Sequence, residues 1–73
     1  MQIIDSIAQL GGGCRTIIEL TSTIYGEVTI LLTEDTDGSM RGEVRAAQRH
    51  QIPVNTERRW LKAATTLVQE LEQ

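Results

Sequence analysis

Apolar positions recur along the chain in four separate segments. Ile3, Ile4, Ile7 and Leu10 stand at helical spacing, which predicts a short helix over Gln2 to Leu10. Gly11-Gly12-Gly13 then stops it and forms a flexible joint. The lysine and the serine or threonine that a phosphate loop needs do not follow these glycines in register.

Between Cys14 and Asp35, composition and periodicity disagree. Isoleucine, valine and threonine favour strands, and Tyr25-Gly26 suits a hairpin turn between Arg15 to Ser22 and Glu27 to Asp35. At about 100° per residue, however, Ile17, Ile18, Leu20, Ile24, Tyr25, Val28, Leu31 and Leu32 share one continuous face, with Thr21 the only polar intruder. Glu19, Ser22, Gly26, Glu27, Thr29, Thr33 and Glu34 share the other, and Ile30 alone breaks the pattern there. This periodicity predicts a long amphipathic helix, with a β-hairpin as the alternative.

Glu34 to Ser39 is acidic and polar, with Gly38 available for a positive φ, and predicts a turn. The later ligands of a calcium loop do not follow it. Met40 to Gln51 is expected to be a short helix with Val44 and Ala47 inward, which aligns Arg41, Arg45 and Arg49 along one face. Ile52-Pro53-Val54 breaks that helix, because proline removes a donor and disfavours helical geometry before it. A last helix, capped by Asn55 or Thr56, places Trp60, Leu61, Ala64, Leu67, Val68 and Leu71 on one face. Glu70 and Glu72 oppose the helix dipole, so its end, Gln69 to Gln73, is expected to fray.

Length and charge narrow the function. The 73 residues are expected to form one domain, small enough to gain from a partner subunit. Cys14 is the only cysteine, which excludes an intrachain disulfide and a thiolate-rich zinc site. No segment reaches the roughly 20 apolar residues of a membrane span, and the first residues do not resemble a secretory signal, so a cytoplasmic protein is expected. Net charge is -3, yet Arg41 to Lys62 holds six of the seven basic residues against Glu43 and Glu57 alone. A segregated basic patch is the footprint that nucleic-acid binding leaves.

Glu43 to Lys62, EVRAAQRHQIPVNTERRWLK, resembles the helix-turn-helix modules of transposases, excisionases and small phage or bacterial regulators. In that family a turn of the type G-I-P-x-S-T precedes an R-W-L stretch. Ala47 falls at the family's small residue, Ile52 and Pro53 at its turn, Asn55-Thr56 at its cap and Trp60 at its core anchor. Gln51 stands in place of the turn glycine, and Glu57 in place of a buried aliphatic residue.

The resemblance implies an all-α fold with a C-terminal helix-turn-helix, whose second helix lies in the major groove of double-stranded DNA. It implies DNA contacts from Val54, Asn55, Arg58, Arg59 and Lys62. Arg41, Arg45 and Arg49 are expected to add phosphate contacts from the preceding helix. The expected function is a small DNA-binding transcription regulator, able to act as a homodimer. The alternative is a protein-binding regulator that docks onto a host machine such as RNA polymerase, and it goes with an α+β fold: a central β-hairpin or three-strand meander and a long C-terminal helix. No carboxylate pair, nucleophile with a nearby histidine, metal site or cofactor site is evident, so catalysis is not expected.

Overall fold

A computed structural model describes residues 1–71 of the chain. Four strands come first, β1 (Gln2–Ala8), β2 (Cys14–Ser22), β3 (Gly26–Glu34) and β4 (Met40–Ala46). A 3-10 helical turn, Arg49–Gln51, then leads into α1 (Val54–Leu71). The strands form one antiparallel meander in the order β1-β2-β3-β4. The fold is therefore α+β, and the all-α expectation is overturned. The alternative architecture fits, with four strands in place of two or three.

The alternation that decides β2 and β3 lies in the residues facing each other across the sheet. Ile18 stands opposite Ile30, and Ile30 opposite Val44; Thr16 stands opposite Leu32, and Leu20 opposite Val28. One face thus collects Ile18, Val28, Ile30, Leu32 and Val44, all buried. Ile30, the residue that breaks the helical stripe, is completely inaccessible to solvent. Ile17 and Leu31 pair on the opposite face among charged and hydroxyl side chains. Their apolar character fills the gaps between strand-spaced residues and so imitates a helical face. An antiparallel sheet with one uncovered face tolerates them, because that face is only partly apolar. At the β2–β3 turn the Ser22 hydroxyl accepts the N–H groups of Ile24 and Tyr25 at 3.2 and 3.1 Å, which closes the hairpin.

The first predicted helix is also a strand. Ile3 lies opposite Ile18 and Ile7 opposite Arg15, with a bulge between Ile3 and Asp5. The extra residue breaks strict alternation, which explains why Ile3, Ile4 and Ile7 mimic helical spacing. The glycine run is the turn from β1 to β2. Gly13 adopts a positive φ of 88° and passes directly against the Glu34 carbonyl oxygen, where a side chain would collide with backbone.

The expected turn at Glu34 to Ser39 is present between β3 and β4, closed by the Gly38 N–H donating to the Asp35 carbonyl at 3.0 Å. The expected helix over Met40 to Gln51 is not. That segment is β4 followed by the 3-10 turn, so the first helix of a helix-turn-helix does not exist and Ala47 lies outside any helix. α1 is the single α-helix of the described residues, and the resemblance fails at the level of the fold. Cross-strand partners explain the difference. Val44 alternates with Gly42 and Ala46 on the inner face, a period of two that only the neighbouring β3 rewards.

The C-terminal helix is present. Its first turn follows Pro53, whose carbonyl accepts the Glu57 N–H at 3.1 Å. Asn55 and Thr56 therefore lie within α1 and do not precede it as caps. Ala64 and Val68 are buried against the sheet, with Trp60 and Leu61 partly buried beside them and Ile52 joining from the linker. Each fully buried isoleucine, leucine or valine contributes about 1.5–3 kcal/mol, so this single layer of contacts is the main source of stability. Leu61 sits over Gly42, where a Cβ would come within 2.6 Å of Leu61 Cδ2. Gln69 to Leu71, the described part of the stretch expected to fray, are helical, and its last two residues, Glu72 and Gln73, lie outside the described residues. No helix among the described residues is long and apolar enough to cross a membrane.

Candidate nucleic-acid interface

The eight residues expected to meet DNA are divided among three surfaces. Arg41 and Arg45 project from β4 onto the open face of the sheet, away from α1. Arg49 stands in the 3-10 turn. Val54, Asn55, Arg58, Arg59 and Lys62 lie along α1, all exposed. The alignment of Arg41, Arg45 and Arg49 on one helical face is corrected accordingly, since a strand carries the first two and a separate turn the third.

Ion pairing divides them further. The Arg41 guanidinium holds both Asp35 carboxylate oxygens at 3.2 Å. Arg45 reaches Glu43 at 3.4 Å, and Arg49 reaches Glu57 at 3.1 Å. Glu57, which the resemblance would bury as an aliphatic position, is instead a partly exposed carboxylate bound to Arg49. Arg58, Arg59 and Lys62 have no ion-pair partner among the described residues. These three and Asn55 recur at spacings of three and four, so they share the solvent side of α1 opposite Ala64 and Val68. The outcome is a helix with an apolar side packed on the sheet and an unneutralised basic side facing water.

The open sheet face holds a cation the sequence reading passed over. Arg15 lies in one cross-strand row with Thr33 and Arg41, and these three border a depression of about 270 Å³ with Leu31, Glu43 and Arg45. Strand alternation would have revealed it, because Arg15, Ile17 and Glu19 all project to one side of β2. Glu43 and Glu19 interleave with the arginines there, so this face carries both signs of charge.

A larger groove, of about 550 Å³, runs beside α1. Ala63 and Leu67 form its floor with Met1, and Arg59, Lys62 and Glu70 form its rim. Cys14 is half-buried with its Sγ 3.1 Å from the Ser6 hydroxyl. Among the described residues no group of three histidine, cysteine, aspartate or glutamate side chains is placed to hold a metal ion. His50 is exposed in the 3-10 turn.

No family model matches the chain, and neither a curated protein nor a solved structure matches it significantly.

Proposed function

We propose that the protein is a small DNA-binding regulator that engages the duplex through the solvent face of α1, without a helix-turn-helix. The observation that carries this reading is the set of exposed cations Arg58, Arg59 and Lys62, unpaired among the described residues while Arg41, Arg45 and Arg49 are each neutralised. An α-helix fits the major groove, where arginine suits guanine edges and both arginine and lysine suit phosphates. Asn55, one turn earlier on the same face, supplies an amide suited to adenine.

A second reading is favoured by the net charge of -3, which opposes approach to a polyanion. In it the same basic face meets an acidic surface of a host protein.

Fluorescence anisotropy with a mixed-sequence duplex separates the two. The DNA reading requires binding at ~50 mM salt that weakens with a log-log slope of about -2.7, for three phosphate contacts. Arg58→Glu with Arg59→Glu must abolish it, and Arg41→Ala with Arg45→Ala must leave it largely intact. A wild-type protein that leaves the duplex free at that salt sinks the DNA reading and leaves the acidic protein partner.

A further inference from the structure

β1 and β4 are the two edges of the sheet, and they are guarded unequally. β4 carries Arg41, Glu43 and Arg45, charged side chains that oppose pairing with another strand. β1, QIIDSIA, carries no cation, and its only guards are Asp5 and the bulge beside it. Its outer rim is apolar, with Ile4 and Ile7 about half exposed. One row of backbone N–H and C=O groups along this edge faces no strand of its own chain.

Two further features stand at opposite ends of the same strand. Leu10, in the turn after β1, is fully exposed at 105% and touches nothing that would shield it. At the other end Met1 walls the groove floored by Ala63 and Leu67. Leu10 is an apolar side chain left uncovered by the described residues, and the groove is an open surface of matching apolar character. Directly opposed residues of an antiparallel pair share a face, so with the bulged Ile4 left out of the ladder the pairing centres on Ser6 and sets Asp5 opposite Ile7 and Ile3 opposite Ala8. The same register brings each Leu10 to the other copy's Met1.

We infer that the occupant of the β1 edge is a second copy of this chain, paired antiparallel through β1, with Leu10 of each copy seated in the groove beside α1 of the other. The two sheets become one eight-stranded sheet, twice the four strands of one chain. A two-fold axis normal to the sheet keeps both α1 helices on the same side. An isologous contact of this kind is self-complementary and closed, so it terminates at two copies. The one unfavourable approach is that of the two Asp5 carboxylates, which stand diagonally across the axis on the open face of the sheet. This inference rests on the β1 edge and Leu10 and not on the nucleic-acid reading, although the groove's rim shares Arg59 and Lys62 with it.

Sedimentation equilibrium tests it directly. The full chain should show twice its 8.1 kDa mass at ~100 µM. Leu10→Asp should weaken association by roughly tenfold or more, as should Ile7→Lys. Both positions are exposed, so circular dichroism should stay that of the wild type. Asp5→Asn should tighten association, an effect opposite to that of any loss of folding. Amide exchange along β1 should slow as concentration rises through the association range. A wild type that remains at the single-chain mass overturns the inference. So does a dimer that is indifferent to Leu10→Asp, Ile7→Lys and Asp5→Asn.

Discussion

Trp60 meets Tyr25 edge to face, with ring centroids 6.1 Å apart and planes at 78°. The contact joins the first half of α1 to the β2–β3 hairpin, two segments that are far apart in sequence. Such pairs contribute about 0.5–1.5 kcal/mol beyond their area burial. A double-mutant cycle with Tyr25→Leu and Trp60→Leu, read by urea denaturation, is expected to give a coupling in that range. Additive single effects would mean that the rings merely fill space.

Gly42 is expected to resist enlargement because of Leu61. Its Cβ would lie 2.6 Å from Leu61 Cδ2 and 3.2 Å from Leu32 Cδ2, the ends of side chains that can partly yield. Gly42→Ala should cost about 1–3 kcal/mol, the range for overpacking. In a Leu61→Ala background, itself less stable, the added cost of Gly42→Ala should largely vanish. Equal costs in both backgrounds would show that the clash is not with Leu61.

Gly13→Ala should be the more damaging substitution. The obstacle there is the Glu34 carbonyl, which cannot rotate away, and the positive φ adds about 1–2 kcal/mol for an L side chain. Gly11 shares the positive φ but has open space around it. Thermal unfolding should therefore rank Gly13→Ala below Gly11→Ala, and the reverse order would refute the close approach.

Asp37 should titrate below its ordinary value of 3.8, first because the Ser39 hydroxyl donates to its carboxylate and then because the Ser39 N–H does so too. A depressed folded-state value means that the ionised form favours folding. Its contribution is present above the unfolded value and is lost as pH falls through the lowered one. Ser39→Ala should raise the Asp37 midpoint toward 3.8, followed by NMR of the carboxyl carbon. An unchanged midpoint would show that the hydroxyl does not hold the carboxylate in solution.

Separating the contacts of the paired arginines from those of the unpaired ones should be possible by charge reversal. Glu57→Lys removes the partner of Arg49 and leaves α1 more basic. Exposed pairs contribute about 0–1 kcal/mol, so stability should change little. Duplex affinity should rise, and a fall would place the contact surface elsewhere.

What the sequence determined by itself was local. Proline before Val54 and an apolar stripe repeated over 18 residues specify α1, because the partners of each helical hydrogen bond lie four residues away. The acidic turn at Asp35 to Ser39 is legible for the same reason, as its bonds run between near neighbours. So is the basic side of α1, since Asn55, Arg58, Arg59 and Lys62 need only helical geometry to align. Tertiary structure decided the rest. Ile17 and Leu31 complete an apparent helical stripe, and only pairing with neighbouring strands puts Ile18, Ile30 and Val44 on one buried face. Arg41, Arg45 and Arg49 likewise lost their shared face when Met40 to Ala46 became β4. Strand hydrogen bonds join residues distant in sequence, so the choice between helix and strand rested on contacts that no local pattern contains.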